Sequence, residues 1–123
     1  MSQQTGVTGF GGVFLRAENP DVLYAWYEEQ LGLKREKGSF LFSGSQQNAP
    51  TVLAFFSKSG TYWPQAQPAM INFKVEDLDA VLDRLSAAGI EVDPKRESYP
   101  YGRFGWFTDP EGNRVELWQP AEK

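Results

Sequence analysis

A chain of 123 residues with no cysteine and no histidine lacks the thiolate and imidazole on which most nucleophilic and metal-binding sites are built. Its chemistry has to come from carboxylates, cations, amides and aromatic rings. Period-two alternation in three segments sorts these groups onto one face. Val13, Leu15, Ile71, Phe73, Val75, Val115 and Leu117 would pack beneath helices, which turns Gly12, Phe14, Arg16, Met70, Asn72, Lys74, Arg114, Glu116 and Trp118 to the opposite side. That side suits a small organic molecule with an anionic or polar group, stacked on Trp118 or Phe14 and oriented by Arg16 or Lys74. Glu116 is its one carboxylate and the candidate catalytic residue, with Asn72 as a companion. The same face would equally serve as an outer sheet surface or dimer contact, with Glu116 simply paired to an Arg or Lys. Arg103 and Trp106 are further candidate ligand-binding residues, although Gly102 and Gly105 beside them invite bulges. The YPYG stretch at 99–102 is either a lid or a rigid loop, and Trp63 either closes the rim or packs between halves of the chain.

The elements that must hold these residues can be read from their punctuation. Asn19 caps a helix with Pro20 at its first position, Leu23, Trp26, Tyr27 and Leu31 at helical spacing, and Gly32 as its stop. Asp77 caps a second, with Leu78, Val81, Leu82, Leu85 and Ala88 as its stripe and Gly89 followed by Ile90 as its end. At one constant offset, Val13 falls on Ile71, Leu15 on Phe73, Arg16 on Lys74, Glu18 on Glu76 and Asn19 on Asp77. Further strand-like runs follow each helix, at 33–37, 39–42 and 51–57 and then at 90–92, 103–108 and 114–119. The chain therefore reads as a single α+β domain, 1–123, of two tandem βαβββ modules. Module one covers about 7–57, a Gly- and Pro-containing connector 58–68, and module two about 69–120.

Composition narrows the function. With 41% hydrophobic residues and 18 aromatics (Phe 9, Tyr 5, Trp 4) the chain has the material for a real core. A net charge of -4 and only one short basic stretch, Lys34, Arg35 and Lys37, argue against a nucleic-acid partner. The longest apolar run, 52–56, is far too short to span a membrane, and the MSQQTG start lacks the features of a signal peptide. A cytoplasmic location is expected. DPEGN at 109–113 favours a tight hairpin turn and lacks the ligand pattern of a calcium loop. GFGG at 9–12 opens no helix, so it reads as close backbone approach rather than a dinucleotide loop.

The doubled unit, the stretches GGVFLRAENPDVLYAWYEEQLGL and MINFKVEDLDAVLDRLSAAGIEV, and the closing YGRFGWFTDPEGNRVELWQP together resemble the vicinal oxygen chelate superfamily, which includes glyoxalase I, bleomycin-resistance proteins and extradiol dioxygenases. The resemblance covers nearly the whole chain and implies a curved mixed sheet with its helices on the outer face and a cup on the inner one. In metal-dependent members the ligands stand on the first and last strand of each module. These positions fall here at Gly12, Ala54, Met70 and Glu116, so only Glu116 could bind a hard metal, and no cofactor is expected. The resemblance also implies a homodimer, with each cup completed within or between chains. The leading expectation is a glyoxalase-like or bleomycin-resistance-like protein that binds a small organic molecule without the family's metal tetrad. The alternative is a lyase, isomerase or dioxygenase relative. It would use Glu116 for proton transfer next to a carbonyl, with Lys74 or Arg16 stabilising the enolate, or a non-standard metal site that includes Glu116.

Overall fold

The computed structural model describes residues 6–43 and 49–122. Module one runs β1 (Val7–Ala17), α1 (Pro20–Leu31), β2 (Arg35–Glu36), β3 (Ser39–Phe42) and β4 (Thr51–Ser57). Module two repeats it as β5 (Ala69–Val75), α2 (Leu78–Ala87), β6 (Glu97–Tyr99), β7 (Gly102–Thr108) and β8 (Arg114–Pro120). The strands make one curled sheet in the order β2-β3-β4-β1-β5-β8-β7-β6. Each module pairs its first and last strand in parallel, β1 with β4 and β5 with β8. The modules meet antiparallel through β1 and β5. They therefore pair within one chain, and a cup forms without a second protomer.

The helices begin and end on the residues whose types call for it. The Asn19 side chain accepts from the Val22 amide at 3.3 Å, and Gly32 leaves α1 at φ 71. The Asp77 carboxylate accepts from the Ala80 amide at 3.1 Å, and the Ile90 amide returns to the Leu85 carbonyl past Gly89. Leu78, Val81 and Leu82 bury against Val75 and Leu117, with Phe73 and Phe107 alongside. Gly105 of β7 leaves room for this packing, since a Cβ at that position would lie 2.5 Å from a Leu82 methyl.

The sequence stripe on α1 needs correcting. Trp26 and Leu31 are exposed, and the helix is anchored by Tyr24, packed with Ala17, Phe40 and Phe55. The reason lies in β3, whose pairing with β4 stops at Phe40 opposite Leu53. The Phe55 amide lies beyond it and donates instead to the Tyr24 hydroxyl at 2.9 Å, so a tyrosine is buried with its polar tip satisfied. Two strands also differ from expectation. The run at 90–92 makes only an isolated bridge from Val92 to Phe107, and the edge strand is β6. Residues 99–102 are then the turn between β6 and β7 rather than a free lid. Leu15 and Ile71 do face the helix side, but the two helices flank the β1–β5 seam without covering it, and both side chains remain exposed.

The seam depends on backbone approach. Gly12 has φ +145, and a Cβ there would sit 2.0 Å from the Val52 carbonyl oxygen of β4. Both the positive φ and the contact demand glycine. Gly12→Ala is expected to destabilise the fold by about 3 kcal/mol or more, combining backbone strain with overpacking. Urea denaturation compared with wild type checks it.

Candidate functional site

The registers place three rows of side chains across the concave face. One runs Val52, Gly12, Asn72, Glu116, Trp106 through β4, β1, β5, β8 and β7. On one side of it lie Ala54, Phe14 and Met70. On the other lie Gly9, Lys74, Trp118, Phe104 and Glu97. Of the residues singled out in the sequence, Asn72, Glu116 and Trp106 come into direct contact. Phe14 stands one row away and Lys74 and Trp118 one row the other way.

Glu116 is the centre of the middle row and is 1% exposed. Its Oε1 accepts from the Asn72 side-chain amide at 2.6 Å, and its Oε2 accepts from the Trp106 indole N–H at 3.0 Å. The hydroxyl of Tyr62, from the connector, donates to the same Oε2. No Arg or Lys pairs with it among the described residues, so the simple ion-pair alternative does not describe it. Burial pushes its carboxyl above the ordinary value of 4.5, while the Tyr62, Asn72 and Trp106 hydrogen bonds pull the other way. Burial and the neighbouring carboxylate raise the Tyr62 phenol well above its ordinary value, so Tyr62 keeps its proton and acts as donor. Asn72 finds its room on β1: a Cβ at Gly11 would fall 1.7 Å from Asn72 Oδ1.

Arg16 is turned to a different task. Its guanidinium donates to the carbonyls of Trp63 at 2.5 Å, Gln67 at 2.7 Å, Pro64 at 3.2 Å and Gly60 at 3.4 Å, and lies 4.4 Å from the centre of the Trp63 ring. It straps the connector across the cup, where Trp63 packs with Phe14, Ala54, Met70 and Trp106. Gln67 ties the end of this strap to the Arg114 amide at 2.7 Å and to the Arg114 carbonyl at 2.9 Å. Arg103, a candidate ligand-binding residue of unassigned face, belongs to the helix side. Its neighbour Gly105 opposes α2, and by period two Arg103 reaches the same side, where it binds Asp79 of α2 through two nitrogens at 3.0 Å. It therefore lies away from the cup that holds Trp106.

Lys74 donates to the Ala49 carbonyl at 2.5 Å and lies 6.0 Å from the centre of the Trp118 ring. Partial burial lowers its pKa, and no carboxylate pairs with it among the described residues. Trp118 stacks on Phe104 at 6.0 Å and 5° and sends its indole N–H to the Tyr101 carbonyl. Gly102 makes this possible, since a Cβ there would lie 2.5 Å from the indole nitrogen. Tyr62 was missed in the sequence. The signal for it was the Tyr-Trp pair set between Gly60 and Pro64 in an otherwise polar connector.

Two like modules joined through their first strands, with both helices on one side and a polar cluster on the other, define a paired-module cup protein. The family model for the Glyoxalase/Bleomycin resistance protein/Dioxygenase superfamily matches residues 9–117, and the chain belongs to that superfamily. Comparison with curated proteins finds no match. Among solved structures, methylmalonyl-CoA epimerase from Mycobacterium tuberculosis is similar with 24% identity and a TM-score of 0.66, over 99% of this chain and 94% of that one. A methylmalonyl-CoA epimerase in complex with methylmalonyl-CoA and NH4+ gives 15% identity and 0.71, over 94% and 96%. The Mn(II)-bound glyoxalase from Novosphingobium aromaticivorans gives 19% identity and 0.63, over 94% of this chain and 40% of that one. At these identities the likeness establishes the fold alone.

The positions that the resemblance assigns to a metal do not fit one here. Gly12, Ala54 and Met70 carry no side-chain oxygen or nitrogen, and both Glu116 oxygens already accept from neutral donors. Among the described residues no three acidic groups gather to hold an ion.

Glu116 should give stability an unusual pH response. Its native pKa is raised, so the folded state holds the proton more firmly than the unfolded chain. The burial penalty is thus felt above the native pKa and relieved as pH falls toward the ordinary value of 4.5. Asp79 and Asp93, held low by arginine and backbone partners, weaken the fold only below their ordinary 3.8. Denaturation midpoints from neutral pH toward 4.5 are expected to improve in wild type relative to Glu116→Gln. Glu116→Leu, which strands the Trp106 and Asn72 donors, should cost about 3 kcal/mol or more at neutral pH.

Proposed function

We propose that the protein binds a small organic molecule on its concave face and does so without the family's metal tetrad. The observation that carries this reading is the Glu116 cluster: a buried carboxylate that accepts three hydrogen bonds from uncharged groups, at the one family ligand position that keeps a donor. The outer row supports it with the partly exposed ring of Phe104, stacked on the buried Trp118, and with Lys74, a cation lacking a carboxylate partner among the described residues. A planar ring against Phe104 with an anionic group toward Lys74 would be complementary to that row. The cytoplasmic location belongs to the proposal too. What the structure contributes there is that no described helix is long and apolar enough to cross a membrane.

A second reading, metal-free proton transfer next to a carbonyl, is favoured by one property of Glu116, its raised proton affinity. A carboxyl shifted in that direction is a better general base than an ordinary one, and Lys74 would supply positive charge for the developing enolate. Titration with aromatic carboxylates, followed by tryptophan fluorescence and chemical analysis of the recovered compound, separates the two. Binding predicts a one-to-one complex recovered unchanged and weakened about 10-fold by Lys74→Ala. Turnover that disappears in Glu116→Gln would establish the enzyme reading instead.

The proposal includes a homodimer. Since each cup is completed within its own chain, a second copy is expected on the convex side, where Phe10, Leu15 and Ile71 leave the module seam uncovered. Sedimentation at micromolar concentration should show a dimer, and Ile71→Lys should yield monomers with the cup intact. A wild-type monomer would contradict it.

A further inference from the structure

Tyr62 belongs to neither module, yet it contributes one of the three hydrogen bonds at the centre of the concave face. Its ring lies parallel to Phe56 at 5.6 Å and 5° and meets Trp106 edge-on at 6.0 Å and 87°. Its hydroxyl donates to Glu116 Oε2. A flat wall, a perpendicular ring and an anionic acceptor at the end form a recess shaped and charged for a phenol.

The occupant is less firmly held than its surroundings. Tyr62 is half-buried, whereas Trp63 and Trp106 beside it are buried. The strap that carries Tyr62 is fixed by other groups: Arg16 holds the carbonyls of Trp63 and Gln67, and the Trp63 indole donates to the Gln67 carbonyl at 3.0 Å. Rotating the Tyr62 side chain outward breaks none of these bonds. A phenol arriving from solution would restore the same hydrogen bond and the same ring contacts, so the exchange is nearly even in contacts made and lost. A charged group is disfavoured in this recess, in contrast to the row at Lys74. A phenolate or carboxylate would face Glu116 directly, and the described residues place no cation on that carboxylate.

We infer that Tyr62 is a built-in occupant of the ligand site and that the ligand presents a neutral hydroxyaromatic ring, which displaces the Tyr62 ring and donates its O–H to Glu116, leaving any anionic group to the Lys74 row. This rests on the concave face being a binding site and adds the chemical class of the ligand.

The probe is 4-methylphenol, with toluene as the control that lacks the hydroxyl, titrated calorimetrically into wild type, Tyr62→Ala and Tyr62→Phe. Near-ultraviolet circular dichroism verifies that each variant is folded. Wild type should bind 4-methylphenol saturably, and Tyr62→Ala should bind it about 10-fold more tightly because the internal competitor is gone. Toluene should bind Tyr62→Ala at least about 10-fold more weakly than 4-methylphenol, as expected when a buried acceptor is left unpaired. Tyr62→Phe, which keeps the ring but loses its hydrogen bond, should also bind the probe more tightly than wild type and supplies the test should Tyr62→Ala not fold. Equal affinity for toluene, no binding by the variants, or no binding by wild type overturns the inference. If aromatic carboxylates still bind in a Lys74-dependent way while 4-methylphenol does not, the hydroxyaromatic assignment alone fails and the concave-face reading stands.

Discussion

Removing a carboxylate from water costs several kcal/mol unless hydrogen-bond donors replace the solvent, and the centre of this protein is organised around that requirement. Glu116 is sealed in the middle of an eight-stranded sheet, and its donors come from three separate parts of the chain: Asn72 on the neighbouring parallel strand, Trp106 on the antiparallel one, and Tyr62 on the connector. Asn72 and Trp106 reach Glu116 only when the strands of module two are in register, and Tyr62 only when the strap closes over them. The cluster thus works as a check on assembly, because a slip of one residue in β8 would turn Glu116 to the helix side and Leu117 into the cup.

The requirement reaches outward through glycine. Asn72 can approach Glu116 because Gly11 leaves space for its amide, and β1 can lie between β4 and β5 because Gly12 brings its backbone against Val52. Arg16, on the same strand, spends its charge on the strap rather than on a guest, which holds Trp63 over Phe14 and Met70. Three of the four positions that the resemblance assigns to metal ligands, Gly12, Ala54 and Met70, are in this way occupied by packing. What stays partly open on the concave side is Tyr62 above the carboxylate, and beyond it Lys74 and Phe104.

Much of this was legible in the sequence. The repeated cap-and-helix pattern identifies the two modules, and alternation in β5 and β8 assigns Asn72, Lys74, Glu116 and Trp118 to one face correctly, because β8 is buried on both sides and β5 buries Met70 and Asn72 on one side and Val75 on the other. Where the reading went astray, the deciding interaction lay far away in the chain. Arg103 could not be oriented without knowing that Gly105 receives Leu82, and Arg16 looks like a ligand-binding cation until the connector folds across it. Trp26 was favoured over Tyr24 because helical spacing cannot show that β3 stops early and leaves the Phe55 amide in need of an acceptor. Tyr62 was hidden because a connector has no periodicity from which to infer a direction.

The central claim is that this member of the superfamily centres its cup on a carboxylate satisfied by neutral donors and not on a metal ion. The most direct test is metal content by mass spectrometry on untagged protein, before and after incubation with manganese, iron, nickel and zinc, repeated on Glu116→Ala. The account predicts that no metal is retained stoichiometrically by either protein. One tightly held metal per chain, lost in Glu116→Ala, would contradict it.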